Sequence, residues 1–176
     1  MANKEALREL QGRLAERLQE VRHIEHTTGW LAVESAGHAF LLPLAEAGEI
    51  FPPGTLLPVP HTQPWFLGVA NLRGALTGVV DLAGFLGLRD GVPAAVREQA
   101  RVVAFNPSLD INAALLVDRL AGLRNADQLA PVAADGVAQP EFVGGRWLDA
   151  SGRLWHELRL SLLPREERVR RIIGGP

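Results

Sequence analysis

Tight turns that require glycine separate short apolar segments along most of this chain, and this spacing constrains the fold more than any other feature. Trp30–Glu34 and His38–Pro43 flank a glycine-bearing turn at residues 35–37, which predicts a β-hairpin. Many short strands joined by such turns are typical of an all-β barrel or a pair of barrels. The sequence therefore predicts a mainly β domain.

The same pattern continues towards the C-terminus. Leu67–Leu72 and Leu76–Val80 flank the dipeptide Arg73-Gly74, which predicts a second hairpin. An edge strand is predicted at 48–53, because its two prolines are tolerated where not every N–H donates, and further strands at 101–105, 111–117, 142–148 and 153–160. The segment from Asn125 to Pro140, rich in Gly, Ala, Pro and Asp, is interpreted as a loop.

Besides a short helix near the C-terminus, two helices are expected outside these strands. From Glu5 to Ile24, leucines recur every three or four positions between charged residues, which predicts an amphipathic helix. Its apolar stripe can pack on the chain's own barrel, on a second copy, or on a partner. Asp81 precedes a short apolar run that stops at Gly87, which predicts a brief helix capped by the Asp81 side chain.

Composition excludes several classes of function. A net charge of -2 gives no basic surface for nucleic acid or an acidic membrane, so neither partner is expected. The chain has no cysteine, which excludes disulfides and thiolate metal sites. The charged N-terminus does not resemble a secretory signal, and no apolar segment is long enough to span a membrane. A cytoplasmic location is expected.

One run of about 25 residues carries a specific resemblance. Pro64 to Leu88 contains Gly-Val-Ala-Asn-Leu-Arg-Gly, then an aliphatic strand, then Asp-Leu at a helix start. In this order the three features resemble the signature of the CheW family of chemotaxis adaptors. The similarity extends from about Gly29 to Pro164, and includes Ala114–Asp118 and the closing segment that begins at Phe142.

The resemblance implies a fold of two five-stranded SH3-like barrels that share a core. It implies a non-catalytic scaffold, without a cofactor, that joins the cytoplasmic tips of methyl-accepting chemoreceptors to a CheA-type histidine kinase. The N-terminal helix and the amino-acid sequence of the Asn-Leu-Arg-Gly turn resemble those of the adaptors of type IV pilus, twitching-motility systems. The expected organisation is an extension over 1–27, a CheW-like domain over 28–165 and a charged tail over 166–176, with a short C-terminal helix.

The resemblance also suggests which residues bind partners. Ala47 matches a position implicated in receptor coupling, and Glu49 and Ile50 match positions near the kinase contact. The residues that match the turn implicated in partner binding are Gly68, Asn71, Leu72, Arg73 and Gly74.

The residues themselves leave alternatives open at this turn. Asn71 and Gly74 are explained by turn chemistry alone, and Arg73 can either bond its own barrel or reach a partner carboxylate. Apolar docking candidates are Ile50, Phe51, Leu67, Leu72 and Leu116, each of which can equally belong to the core. The sequence departs from the family at Gly78, where proline is common, and at Ala47-Gly48, where larger residues are usual.

The sequence supports an enzyme less well than it supports a regulatory protein. Phosphate-loop, nucleophile-elbow and dinucleotide-binding motifs do not occur. Glu20, His23 and His26 have a spacing that places three possible metal ligands along one side of a helix, but a second helix with further ligands is missing from the sequence pattern. Two alternatives to the coupling adaptor therefore remain: a CheW-like subunit that fills an array without receptor coupling, and a helix-borne metal site.

Overall fold

The computed structural model describes residues 29–93, 96 and 98–171. The predicted N-terminal helix and the Glu20, His23 and His26 spacing lie outside these residues. Within them, no three His, Asp or Glu side chains are grouped as metal ligands. No helix in the described ranges is long and apolar enough to cross a membrane.

Eleven strands in the described residues form two sheets, and the mainly β prediction is confirmed. The first sheet has six strands in the order β8-β1-β2-β11-β10-β9. Their bounds are β1 Gly29–Ser35, β2 His38–Pro43, β8 Arg119–Asn125, β9 Leu129–Val132, β10 Val143–Asp149 and β11 Leu154–Leu158. This sheet has one strand more than the expected five.

The second sheet has the expected five strands in the order β3-β6-β7-β5-β4. Their bounds are β3 Ala47–Phe51, β4 Phe66–Leu72, β5 Ala75–Asp81, β6 Arg101–Phe105 and β7 Ala113–Val117. Helix α1 spans Leu82–Phe85, and helix α2 spans Glu167–Arg170 near the C-terminus. Three short 3₁₀ turns, 107–109, 126–128 and 160–165, complete the described elements.

Both predicted hairpins are confirmed, and their turns have the left-handed geometry that two-residue hairpin loops require. Ala36 and Gly37 have φ values of 49° and 78°, and Arg73 and Gly74 have 50° and 86°. Two successive residues at positive φ match the right-handed twist of the flanking strands. The turns therefore fix the register of β1 with β2 and of β4 with β5.

The two sheets share one apolar core. Phe40 and Leu42 of the first sheet belong to the same buried cluster as Val103 and Leu115 of the second, with Phe85 of α1. Each sheet also encloses a smaller core of its own. Because the largest cluster draws on both sheets, they form one folding unit.

Two strands were missed by the sequence analysis. The segment from Asn125 to Pro140 was predicted as a loop, but it contains β9, which pairs with β10. Strand β8 pairs with β1. Both strands lie at the edges of the first sheet and most of their residues are exposed or half-buried, so they lack the apolar alternation that identifies a strand from sequence.

A largely buried ion cluster joins the second sheet to the first hairpin, and Arg89 is its centre. The Arg89 guanidinium contacts Asp81 Oδ1 at 2.6 Å through Nη2 and Asp118 Oδ1 at 2.7 Å through Nη1. Asp118 Oδ2 also accepts the backbone N–H of Ala36 at 2.9 Å. Burial alone would lower the pKa of Arg89, but its hydrogen bonds with the two carboxylates raise that pKa above its usual value.

This cluster corrects the role predicted for Asp81. Helix α1 does follow Asp81, but the Asp81 side chain makes no capping hydrogen bond. Its carboxylate is almost fully buried and binds Arg89 instead. An unpaired buried carboxylate costs more free energy than an uncapped four-residue helix. Asp81 therefore binds the Arg89 cation rather than the N–H groups of the helix.

We predict that Arg89→Leu lowers the free energy of unfolding by about 3–5 kcal/mol, because it leaves the buried Asp81 carboxylate without its cation. Urea denaturation measures the loss. Adding Asp81→Asn to that variant removes the stranded charge and should restore part of the stability. A double variant less stable than Arg89→Leu would show that charge compensation is not what Arg89 provides.

Candidate docking site

The β4–β5 turn is built from local backbone chemistry. Arg73 and Gly74 occupy the two turn positions at positive φ, and Asn71 Oδ1 accepts the N–H of Gly74 at 2.7 Å. The turn interpretation of Asn71 and Gly74 agrees with this geometry. This hydrogen bond fixes the conformation of the turn, and so it fixes the backbone position from which the Arg73 side chain extends.

Arg73 extends from this turn to Glu49 of strand β3. Arg73 Nη2 and Glu49 Oε1 are 2.6 Å apart, with side-chain exposures of 76% and 43%. Strands β3 and β4 are the two edges of the five-stranded sheet, so this ion pair links opposite edges. An exposed pair of this kind contributes little to stability. Its charges are therefore available to a partner at small cost to the fold.

A β-bulge places Glu49 on this surface. The pairing of β3 with β6 shifts by one residue between Ala47 and Ile50. Gly48 permits the shift, since a β-carbon there would lie 2.7 Å from the carbonyl oxygen of Phe105. Bulges of this kind re-aim side chains at the edges of sheets. The small residue that departs from the family pattern thus has a steric reason in this chain.

Gly68 and Ala47 are buried, so they are not part of the exposed surface. Gly68 has φ of 125°, and a β-carbon there would lie 2.3 Å from the carbonyl oxygen of Leu57, which bridges to Val69. Ala47 is buried in the shared core. Both residues support the surrounding surface from beneath.

We name the exposed surface formed by Glu49, Ile50 and Asn71–Gly74 the docking corner. Ile50 is 37% exposed and Leu72 is half-buried. Of the other apolar candidates, Phe51 and Leu67 are half-buried, whereas Leu116 is buried in the core of the second sheet. Of the two interpretations left open for Leu116, the core is therefore the one that the structure supports.

Sequence analysis did not find two neighbouring grooves, of which the first borders the docking corner and the second adjoins the first. The corner groove, of about 470 Å³, includes Glu49 and Arg73 in its wall together with Asp110. The apolar groove, of about 210 Å³, is lined almost only by carbon atoms, including those of Phe66, Phe85, Leu163 and Val169. The grooves share a wall formed by Phe105, Ile111, Asn112 and Ala113.

Gly78 lies in the wall of the apolar groove. Its N–H donates to the Asn112 carbonyl oxygen at 3.0 Å, and a β-carbon there would lie 3.1 Å from the Phe66 ring. Proline at this position would lose that hydrogen bond, because proline has no N–H. The departure from the family pattern at Gly78 therefore allows a hydrogen bond that proline could not make.

Glu46 connects the strand that carries the corner to the segment that lines the apolar groove. Its carboxylate accepts the Leu160 N–H at 2.6 Å and the Ser161 hydroxyl at 2.6 Å. These bonds fix the 3₁₀ turn 160–165, which includes Leu163. Sequence reasoning missed Glu46 because its partners lie 114 and 115 positions away in the chain.

The two-sheet fold is that of a CheW-like domain. The CheW-like domain family matches residues 29–168, and the chain belongs to that family. It is similar to Protein PilI of Pseudomonas aeruginosa, with 31% identity over 128 residues, which are 69% of this chain and 70% of that protein. Its fold matches the scaffolding protein TtCheW of Thermoanaerobacter tengcongensis with a TM-score of 0.66 and 18% identity, over 81% of this chain and 95% of that one. The family resemblance and the SH3-like fold expected from sequence are confirmed.

We predict that Gly68→Ala destabilises the protein more than Gly74→Ala. Both glycines have positive φ, so each alanine costs about 1–2 kcal/mol in backbone strain. Only at Gly68 does the new β-carbon collide with backbone, which adds roughly 1–3 kcal/mol. Urea denaturation of the two variants checks the order, and equal losses would contradict the close approach of Leu57 to Gly68.

Proposed function

We propose that this protein is a non-catalytic, cytoplasmic adaptor that couples chemoreceptor tips to a CheA-type histidine kinase in a type IV pilus chemosensory system. The similarity to PilI supports the pilus assignment. The single structural observation that carries the proposal is the exposed Arg73–Glu49 pair at the edge of the five-stranded sheet. On this proposal, the CheW-like domain over 28–165 performs the coupling together with Val169 of the tail 166–176, which lines the apolar groove, and residues 1–27 are an appendage.

The docking corner is the proposed kinase contact. Arg73 presents a planar guanidinium that can bind a partner carboxylate through two N–H groups, and Glu49 offers the complementary acceptor. Ile50 adds exposed apolar area beside this pair. Arginine is one of the residue types that are enriched among those that dominate binding energy at interfaces.

The apolar groove is the proposed receptor contact. A receptor tip is a helical hairpin, and helices bind proteins by placing an apolar face in an apolar groove. The groove is lined by side chains such as Ile111 and Val169, and it shares a wall with the corner groove. Adjacent sites would bring the receptor and the kinase together on one rigid domain, as coupling requires.

The second candidate function is a subunit that fills an array without receptor coupling. It would keep the kinase contact at the corner but lack binding to the receptor. The observation that favours this candidate is the glycine at position 78. It lies in the wall of the apolar groove, and the common family pattern has proline there. Copurification of kinase without receptor would distinguish it from the coupling adaptor.

We predict that Arg73→Ala weakens binding of the kinase by about tenfold or more, because it removes the guanidinium from an interface centre. Isothermal titration calorimetry measures the change. Arg171→Ala is the matched control, since Arg171 is 75% exposed and also forms a surface ion pair, with Glu167. Its binding should equal that of the wild type.

The circular dichroism spectrum of Arg73→Ala should match that of the wild type. Loss of the folded spectrum would show that Arg73 has a structural role and would contradict its assignment as a binding residue. Unchanged affinity in a folded variant would show that the kinase binds elsewhere.

We predict that deletion of Met1 to His26 leaves the β domain folded, because the described strands and their shared core lie downstream of these residues. Thermal denaturation followed by circular dichroism in the far ultraviolet measures this. A deletion variant that no longer unfolds cooperatively would mean that the N-terminal segment belongs to the core.

A further inference from the structure

The first of the described residues lies at the same end of the fold as the apolar groove. Gly29 begins β1, and its carbonyl oxygen accepts the N–H of Leu44 at 3.0 Å. Two residues beyond Leu44, the Glu46 carboxylate accepts the N–H of Leu160. Strand β2 lies between β1 and β11, so Gly29 and Leu160 are about two strand spacings, or about 10 Å, apart. The 3₁₀ turn that begins at Leu160 then places Leu163 in the groove wall, about 6 Å further.

An exposed leucine extends the apolar surface from the groove towards this entry point. Leu44 is 43% exposed, and its backbone is bonded directly to Gly29. On its other side, Glu46 holds the turn whose Leu163 lines the groove. Leu44 and the apolar groove are therefore neighbouring apolar surfaces at the end of the fold where residues 1–28 attach.

Residues 1–28 have the length and the sequence pattern to cover both surfaces. The predicted helix over 5–24 places one stripe of apolar residues along a single side, made of Leu7, Leu10, Leu14, Leu18 and Val21. As a helix this stripe is about 21 Å long. The residues 22–28 that follow it span up to about 24 Å when extended, which exceeds the distance from Gly29 to the groove.

We propose that the segment 5–24 folds back on its own domain and places its leucine stripe on Leu44 and in the apolar groove. Helices bind proteins by placing an apolar side in such a groove. The covalent connection favours this occupant over a second copy, because a short linker gives an effective concentration of the order of millimolar.

This contact regulates access to the groove. The groove is the proposed receptor contact, so the N-terminal segment and the receptor tip compete for one surface. Receptor binding then requires release of the segment, and the apparent affinity falls with the fraction of molecules in which the groove is free. This consequence rests on the function proposed above, whereas the contact itself does not.

Paramagnetic broadening in the full chain tests the contact. Because the chain has no cysteine, a nitroxide attached to the variant Glu16→Cys labels one position, on the polar side of the predicted helix. The methyl signals of Ile111, Leu163 and Val169 in the groove should broaden. The methyl signals of Leu154, at the opposite end of β11 from Leu158, should stay sharp. Sharp groove signals in the labelled protein would overturn the proposal.

A mixed sample distinguishes contact within one chain from contact between copies. Spin-labelled protein without isotopes is mixed with isotope-labelled wild-type protein, so only contacts between copies broaden the observed signals. The groove methyl signals should stay sharp in this mixture. Broadening there would overturn the proposal in favour of a second copy as the occupant.

Leu14→Asp tests the leucine stripe, and Gln19→Asp is the matched control, since it adds the same charge on the polar side of the predicted helix. Leu14→Asp should abolish the broadening, and Gln19→Asp should retain it. Broadening that persists in Leu14→Asp would overturn the assignment of the stripe to the groove.

Binding of the soluble cytoplasmic hairpin of a chemoreceptor, measured by calorimetry, tests the competition. If the segment covers the groove nine-tenths of the time, Leu14→Asp without the spin label should bind about tenfold more tightly than the wild type. Gln19→Asp should bind as the wild type does. If Leu14→Asp abolishes the broadening but binds no more tightly, the contact within the chain stands and the proposed receptor contact at the groove is contradicted.

Discussion

The Arg89 guanidinium is the interaction on which the arrangement of the two sheets depends. It binds Asp81 at the end of β5 and Asp118 after β7, and Asp118 in turn accepts the N–H of Ala36 in the β1–β2 turn. Three distant parts of the chain therefore meet at one ion cluster around Arg89. Apolar packing supplies most of the stabilisation of a domain like this one, but it is non-directional. The ion cluster adds direction, because charges that are buried without partners are strongly disfavoured.

The docking corner depends on this arrangement of the two sheets. The barrel formed by the second sheet brings its edge strands close enough for Arg73 to reach Glu49, and two bulges shape the strands that carry the corner. Gly48 and Gly68 make the bulges possible by admitting backbone oxygens where a β-carbon would collide. Residues that resemble the family's binding positions thus divide into two groups. Some form the exposed surface, and others, such as Gly68 and Ala47, support it from beneath.

Sequence reasoning succeeded where information is local and failed where it is not. The hairpins at 35–37 and Arg73-Gly74 were predictable, because their turns need residues that tolerate positive φ. Strands β8 and β9 were missed because edge strands with exposed faces carry no apolar alternation. Arg89 and Glu46 were missed because their partners are brought to them only by the tertiary fold. The family resemblance located Arg73 and Glu49, but their pairing depends on the tertiary fold, which brings the β4–β5 turn to strand β3.

Hydrogen exchange of the full chain, with and without a CheA-type kinase, tests the central claim most directly. Because a bound partner slows exchange of the amides that it covers, the account predicts new protection at residues 47–51 and 71–75. Residues 119–125, at the far edge of the first sheet, should be unchanged. Protection confined to that far edge, with the Arg73 turn exchanging as in the free protein, would contradict the proposal that the kinase binds at the docking corner.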